Sequence, residues 1–211
     1  GTGFAVLAAA LVISTGADKT LLAGTSSEGV SALEKGVLQS VPKVVDYLVS
    51  KVQADMIEDN AKGAMPSLAG AVEWINSPAL ANDSLKGKVV LVDFWTFDCI
   101  NCQHTLPYVK DGAKKYEKDG LVVIGVHTPE YGFERIIDNV KAQVKKLGIT
   151  YPVAIDNNYA IWRNFDNQYW PAHYLIDAKG QVRYSHFGEG RYEAQEQMIQ
   201  QLLQEAKAPA A

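Results

Sequence analysis

Lys88-Val89-Val90-Leu91-Val92-Asp93-Phe94-Trp95-Thr96-Phe97-Asp98-Cys99-Ile100-Asn101-Cys102 is the stretch that decides the fold. Its first half is an apolar run rich in β-branched residues, which predicts a strand buried on both faces. The residues after Cys99 predict a helix, so the CxxC motif lies at a strand-to-helix turn. At such a turn the helix N-terminus favours a thiolate at Cys99, and therefore a nucleophile.

The CxxC pair has two simpler interpretations, a pair of buried core cysteines or half of a structural zinc site. A zinc site needs a second pair of ligands, and the sequence has no cysteine besides Cys99 and Cys102. We therefore favour redox chemistry, with Cys99 as the nucleophile and Cys102, one turn into the helix, as the more buried resolving thiol. We expect no metal and no cofactor for this chemistry.

The neighbours of the two cysteines favour a reductant. Neither Ile100 nor Asn101 carries a positive charge that would stabilise a thiolate. Asp98 precedes Cys99 directly, and a nearby carboxylate would raise the pKa of the Cys99 thiol, whereas a solvated Asp98 would have little effect. A less stabilised thiolate corresponds to a more reducing pair.

Asp93 interrupts the apolar strand. Burying a carboxylate there is costly unless it has a partner or a task. One interpretation is a strand-edge acid paired with a lysine such as Lys88. The other is a functional acid, whose pKa burial would raise towards the range that suits proton exchange near neutral pH.

The chain after the CxxC motif alternates between strand and helix patterns, which predicts a parallel central sheet with right-handed crossovers. Asp177-Ala178-Lys179-Gly180 predicts a hairpin turn between the last two strands. We expect Pro107 to kink the helix that follows Cys99. The later predicted elements are strands at Leu121–His127, Val153–Ile155, Ala172–Ile176 and Val182–Phe187, and helices at about 133–147, around Ile161, and at about 192–206.

Three sequence runs carry a resemblance to a known family. Val92-Asp93-Phe94-Trp95 followed by CxxC, with Trp170-Pro171-Ala172 further along, resembles the thioredoxin superfamily. The longer runs WTFDCINCQHTLPYV, GLVVIGVHTPE and YWPAHYLIDAKGQVRY resemble the thioredoxin-like domain of CcdA/DipZ-type membrane reductases, and more distantly TlpA and ResA. The resemblance covers about residues 65 to 206. It implies an α/β thioredoxin-like fold, a central mixed β-sheet flanked by helices, and thiol–disulfide oxidoreductase activity.

The same resemblance implies roles for individual residues. The acid that matches Asp93 accepts, through water, the proton of the second cysteine. Pro171 matches a proline held in cis beside the CxxC motif, whereas the residues alone indicate only a proline at a strand start. Such a bond turns the backbone of Trp170 outward, where it can pair with an extended substrate strand.

The implied partners are a membrane-embedded electron donor of the CcdA type and disulfide-containing protein substrates. The implied location is periplasmic or otherwise extracytoplasmic, at the outer side of a bacterial cytoplasmic membrane.

Three further features leave alternatives open. Glu130 follows a strand end and a proline, so it is either a substrate-binding acid or a solvated loop residue. Thr96 and Cys99 have the TxxC spacing of peroxiredoxins, which makes a thiol peroxidase an alternative function. His104 and His127, together with the cysteines, offer ligands that suit copper, which makes a copper-binding chaperone another.

Length and charge limit the remaining choices. The chain has 211 residues and is 47% hydrophobic, enough for one core of ordinary size and an extension. A net charge of −4 provides no basic surface, so we exclude nucleic acid as a partner. We divide the chain into an apolar segment and linker at 1–27, a helical extension at 28–64, the thioredoxin-like domain at 65–206 and a tail at 207–211.

The N-terminal extension carries two patterns. Phe4 to Ile13 is an apolar run of ten residues, shorter than the roughly 20 residues of a membrane span. It is the end of a truncated membrane helix, a damaged signal or a buried helix, and the resemblance favours the first, with a membrane tether through the N-terminus. Apolar residues between Val41 and Met56 recur at helical spacing and predict an amphipathic helix.

Overall fold

The computed structural model describes residues 63–208. The predicted segment 1–27, nearly all of the predicted helical extension 28–64 and the end of the predicted tail lie outside the described residues. Across residues 63–208, no helix is both long enough and apolar enough to cross a membrane.

One mixed sheet organises the described chain. Its strands are β1 (Glu73–Ile75), β2 (Val89–Trp95), β3 (Leu121–His127), β4 (Val153–Ile155), β5 (Ala172–Ile176) and β6 (Val182–Phe187). They lie in the order β1-β4-β3-β2-β5-β6. The three central strands β4, β3 and β2 are parallel, and the other pairs are antiparallel.

Helices cover both faces of this sheet. The α-helices of the described residues are α1 (Ile100–Tyr116), α2 (Ile137–Lys146), α3 (Ala160–Asn164) and α4 (Tyr192–Lys207). Residues of α1, α2 and α4 share one buried cluster with the sheet, and residues of α3 share a second. The predicted fold class, a thioredoxin-like mixed sheet between helices, is therefore confirmed for the described residues.

Strand β2 is buried along its whole length, as its apolar pattern predicts. Its odd-numbered apolar residues pack with α1, α2 and α4, and its even-numbered residues pack in the cluster that contains α3. Because successive side chains of a strand point to opposite faces, Asp93 lies on the face that α1 and α4 cover. Cys102, at the start of α1, belongs to the cluster on that same face.

Three loops meet at one edge of the sheet. The CxxC motif follows the carboxyl end of β2, and residues 128–131 follow the carboxyl end of the parallel strand β3. Trp170-Pro171 immediately precedes β5, which runs antiparallel to β2. This topology brings residues that are distant in sequence to the edge that carries the cysteines.

Two details differ from the sequence prediction. Strand β1 is not among the predicted strands, because it has three half-buried residues and no alternating pattern. The helix predicted from about Phe133 begins only at Ile137, since Gly132–Arg135 forms a separate 3-10 turn. Pro107 lies inside α1, and the kink expected there stays a prediction.

Candidate active site

The strand-to-helix turn after β2 presents the two cysteines unequally. Cys99 is the N-cap residue of α1, and its Sγ accepts a hydrogen bond from the backbone N–H of Cys102 at 3.1 Å. The two residues form a disulfide with a Cα–Cα distance of 5.2 Å. Cys99 is half-buried, whereas Cys102 is 3% exposed. The sulfur of Cys99 is therefore accessible to another molecule, whereas that of Cys102 is not.

Trp170 and Pro171 lie at the same edge as the cysteines. The Trp170–Pro171 peptide bond is cis. Pro171 is buried, while Trp170 is half-buried and packs, like Cys99, against the cluster that contains Cys102. The indole Nε1 of Trp170 donates to the carbonyl of Thr128 at 3.0 Å, which ties this loop to the loop after β3.

Asp93 faces a histidine, not a lysine. It is 2% exposed and lies opposite His173 of β5 in the register, with His173 Nε2 3.3 Å from Asp93 Oδ1. The interpretation of Asp93 as a strand-edge acid paired with Lys88 is therefore wrong, because β2 is a central strand and both of its faces are covered. The 3.3 Å contact does not meet hydrogen-bond geometry, and neither atom has another hydrogen-bond partner among the described residues.

The charge of Asp93 acts on its neighbours. Burial by itself lowers the pKa of His173, but the contact and charge of Asp93, together with the hydrogen bond to Gln195, outweigh burial, so that the pKa of His173 is raised. The pKa of Tyr151 is raised well above its ordinary value, first by burial and then by the charge of Asp93. The hydroxyl of Tyr151 is also buried without a hydrogen-bond partner in the described part of the chain.

Glu134 is a functional candidate that sequence reasoning missed. This carboxylate is 0% exposed. Its Oε1 accepts from the backbone N–H of Asp98 at 3.1 Å and from the hydroxyl of Thr96, and its Oε2 accepts from the N–H groups of Glu130 and Tyr131 at 2.7 and 2.8 Å. Accepting four hydrogen bonds suits an ionised carboxylate. Glu134 therefore clamps the residues before Cys99 to the loop after β3.

Little in the sequence distinguishes Glu134 from a surface acid. It lies between exposed residues in a segment that reads as the start of a helix, where acids are common. The usable signal is its spacing of three residues from Tyr131, since an acid at the third helical position often accepts from the backbone at the helix start.

His127 lies at the end of β3 beside this clamp. It is 0% exposed, and its Nε2 lies 3.2 Å from Thr96 Oγ1. Because the hydroxyl proton of Thr96 is donated to Glu134, the ring must donate from Nε2 to the hydroxyl oxygen. Burial lowers the pKa of His127 to about 4, against a smaller opposite influence from the charge of Glu134. His127 is therefore neutral at neutral pH.

The other residues singled out in the sequence, Glu130, His104 and Thr96, make no direct contact with the sulfur of either cysteine among the described contacts. The side chain of Glu130 is exposed, and its backbone N–H is bound to Glu134. His104 is exposed on α1 with its Nδ1 3.2 Å from Glu189 Oε1. Within residues 63–208, no group of three or more His, Cys, Asp or Glu side chains is arranged to hold a metal ion. The Thr96 hydroxyl of the TxxC pattern is directed at Glu134.

Comparisons with known proteins agree with this geometry. A family model described as Redoxin matches residues 64–203. Protein DipZ of Mycobacterium tuberculosis is 52% identical over 148 residues, which cover 69% of this chain and 21% of DipZ. The chain thus spans about a fifth of the length of that relative.

Two similar proteins are matched over nearly their whole length. Thiol-disulfide oxidoreductase YkuV of Bacillus subtilis is 29% identical over 143 residues, which cover 68% of this chain and 96% of YkuV. The solution structure of a thioredoxin-like protein in the oxidised form matches with a TM-score of 0.62 and 30% identity. It covers 68% of this chain and 96% of the solved chain.

Proposed function

Since the chain belongs to the Redoxin family and residues 63–208 form a thioredoxin-superfamily thiol–disulfide oxidoreductase domain, we propose that it is an extracytoplasmic reductase. In this proposal it carries electrons from a membrane-embedded dithiol of the CcdA type to the disulfides of other proteins. The observation that carries the proposal is the unequal exposure of Cys99 and Cys102 at the start of α1.

The reaction has two steps. The Cys99 thiolate attacks one sulfur of the substrate disulfide, and the other substrate sulfur leaves as a thiolate. Cys102 then loses its proton, and its thiolate attacks Cys99 Sγ. This closes the Cys99–Cys102 disulfide and releases the second substrate thiolate. Two electrons pass to the substrate, and the membrane donor returns the pair to its reduced state.

Asp93 is the proton acceptor for the second step. It is buried on the sheet face that packs against Cys102, and the acid at the matching position of thioredoxin-like proteins has this role. A positioned base of this kind typically accelerates a step by about 100-fold or more.

Local charge supports a reductant. Asp98 precedes Cys99, and the buried carboxylate of Glu134 is bound to the N–H of Asp98. Glu130, exposed on the neighbouring loop, adds a third acid. Negative charges disfavour the Cys99 thiolate, and a less stabilised thiolate means a more reducing pair. Glu134 strengthens an expectation that rested on Asp98 and on the absence of positive charge at Ile100 and Asn101.

The surface beside Cys99 suits an extended polypeptide. Among the described residues, the backbone of Trp170 has no hydrogen-bond partner, so it can pair with a substrate strand. Tyr131 and Phe133 are about half exposed and stack on each other with ring centroids 5.7 Å apart. Glu130 lies next to them and contacts the substrate in this proposal.

The setting of the proposal comes from the DipZ relative. The 52% identity to DipZ and the apolar run from Phe4 to Ile13 support a domain tethered at the outer surface of the cytoplasmic membrane. The match covers only 21% of DipZ. The membrane-embedded electron donor is therefore proposed for this chain.

The deciding experiment measures the direction of electron flow. We expect a reduction potential near about −270 mV, as in thioredoxin, when the protein is equilibrated with a dithiothreitol redox series. Cys99→Ser should abolish the reduction of insulin, and Cys102→Ser should accumulate a mixed disulfide that is visible by mass spectrometry. A potential above roughly −180 mV would favour disulfide formation or isomerisation instead. Equal alkylation rates of the two reduced thiols would contradict the assignment of Cys99.

A further inference from the structure

His173 is a buried titratable group that the two-step reaction leaves without a role. It is 2% exposed and lies beside Asp93, on the sheet face that packs against Cys102. Its Nε2 lies 3.3 Å from Asp93 Oδ1, which is ion-pair distance. A buried polar ring in such a place needs partners on both of its nitrogens.

Gln195 of α4 determines which nitrogen of His173 carries a proton. Gln195 Nε2 donates to the carbonyl of Gly190 at 3.0 Å, and a carbonyl can only accept, so the orientation of the amide is assigned. Gln195 Oε1 therefore faces His173 Nδ1, at 2.6 Å. Because Oε1 can only accept, the network assigns a proton to Nδ1.

The consequence falls on the opposite nitrogen. With the proton on Nδ1, the neutral ring presents a lone pair from Nε2 to the ionised carboxylate of Asp93, which is also an acceptor. Two acceptors that face each other in a buried site repel each other. A single proton between them turns the contact into a charge-assisted interaction. The pair is therefore built to hold one proton.

We propose that Asp93 and His173 together store the proton that leaves Cys102, with His173 as the positioning residue that holds it. This inference rests on the proposed reductase function and deepens it. In the second step the Cys102 thiol gives its proton to Asp93, and Asp93 passes the proton on to His173. The Cys102 thiolate then attacks Cys99 Sγ. The oxidised protein then holds an ion pair of Asp93 carboxylate and His173 imidazolium. Reduction of the disulfide returns the proton to Cys102.

Few other titratable groups reach the pair. Tyr151 faces Asp93 but remains neutral because its pKa is raised well above its ordinary value, by burial first. His186 of β6 lies opposite His173 in the register; burial and the nearby His173 lower its pKa. A cavity of about 170 Å³ between α1 and α4 is lined by His173 and Gln195. The other titratable side chains that line it are Tyr108, Asp111, Tyr116, Tyr192, Glu193 and Glu196.

The test separates the two chemical steps in the full chain. The reduced protein reacts with 5,5′-dithiobis(2-nitrobenzoate), which releases one coloured thiolate when the mixed disulfide forms and a second when Cys102 resolves it. For His173→Gln we expect an unchanged first phase. The second phase should slow about tenfold at neutral pH, and its pH profile should move up by about one unit, since one pKa unit is a factor of ten. His186→Gln is the matched control and should behave as the wild type.

Two results would overturn the inference. One is a His173→Gln protein that slows equally at every pH, because a purely structural role predicts no change in the profile. The other comes from nitrogen-15 NMR of the wild-type histidines, which does not depend on the folding of a variant. We expect a proton on Nδ1 of His173 in both redox forms and a proton on Nε2 in the oxidised form only. The same protonation in both forms would contradict the storage role.

The two proposals fail separately. If the wild-type protein did not reduce the reagent through Cys99, or its potential were that of an oxidant, the reductase function would fail. If the wild type were an active reductase with an unaltered resolution profile in His173→Gln, only the role of His173 would fail.

Discussion

His127 and His173 are buried on the same face of the sheet, at 0% and 2% exposure, yet their pKa values move in opposite directions. His127 lies among aromatic rings, with Phe97 stacked at 5.5 Å and Trp95 edge-on at 5.2 Å. Its polar partner is the uncharged hydroxyl of Thr96. Burial is therefore hardly opposed, and the pKa falls to about 4.

His173 has a carboxylate where His127 has a hydroxyl. Burial lowers its pKa as well, but the contact and charge of Asp93, with the hydrogen bond to Gln195, overcome that effect. The comparison shows that the depth of burial does not determine the charge of a buried histidine; the partner across the strand does.

The two histidines contribute to stability in opposite pH windows. The pKa of folded His127 lies below that of the unfolded chain, so its contribution is complete above about pH 6.5 and is lost as the pH falls to about 4. The pKa of folded His173 lies above the unfolded value, so its contribution is complete below about pH 6.5. That contribution is lost as the pH rises through the folded pKa.

The largest effect is expected for Asp93→Asn, which leaves His173 with a neutral partner like that of His127. We expect release from the mixed disulfide to slow by about 100-fold or more, because the variant lacks the proposed base of the second step. Formation of the mixed disulfide should stay unchanged. The two-phase reaction with the aromatic disulfide reagent measures both. A resolution rate that stays at the wild-type value between about pH 6 and about pH 9 would remove Asp93 from the mechanism.

His127→Gln tests the other half of the comparison, since it keeps a donor near Thr96 but cannot titrate. The wild type should lose about 3 kcal/mol more than the variant between about pH 6.5 and about pH 4, because the two pKa values of His127 differ by about 2.5. Urea unfolding at several pH values measures this difference. His104→Gln, at an exposed histidine, should follow the wild type. Parallel curves for His127→Gln and the wild type would contradict the lowered pKa.

The smallest expected effect concerns Glu134, the acid that the Thr96 hydroxyl separates from His127. Glu134→Gln removes a buried negative charge bound to the N–H of Asp98, so the pKa of the Cys99 thiol should fall by up to about one unit. The pH dependence of alkylation by iodoacetamide, measured in a Cys102→Ser background, reports that pKa. Glu130→Gln should change it less because solvent screens an exposed charge. An equal or larger change of the Cys99 pKa in Glu130→Gln would show that Glu134 is not the acid with the strongest influence on Cys99.

The sequence by itself determined the architecture around the cysteines. An apolar β-branched run predicted the buried strand β2, and CxxC at its end predicted a strand-to-helix turn, because both signals are local and strong. The alternation of strand and helix patterns predicted the parallel part of the sheet, and Asp177-Ala178-Lys179-Gly180 predicted its final hairpin. The short strand β1 was not predicted, because its three half-buried residues show no alternation of apolar and polar side chains.

The partners of the buried polar groups follow from the way distant strands and loops pack together. Asp93 and His173 are far apart in the chain and meet because β2 and β5 pair in one register. Glu134 looks like a surface acid until a 3-10 turn directs it at the N–H groups of two loops. A residue's identity states which hydrogen bonds and charges it can offer, whereas the packing of distant strands states which group receives them. The same side chain, histidine, therefore has a lowered pKa at 127 and a raised pKa at 173.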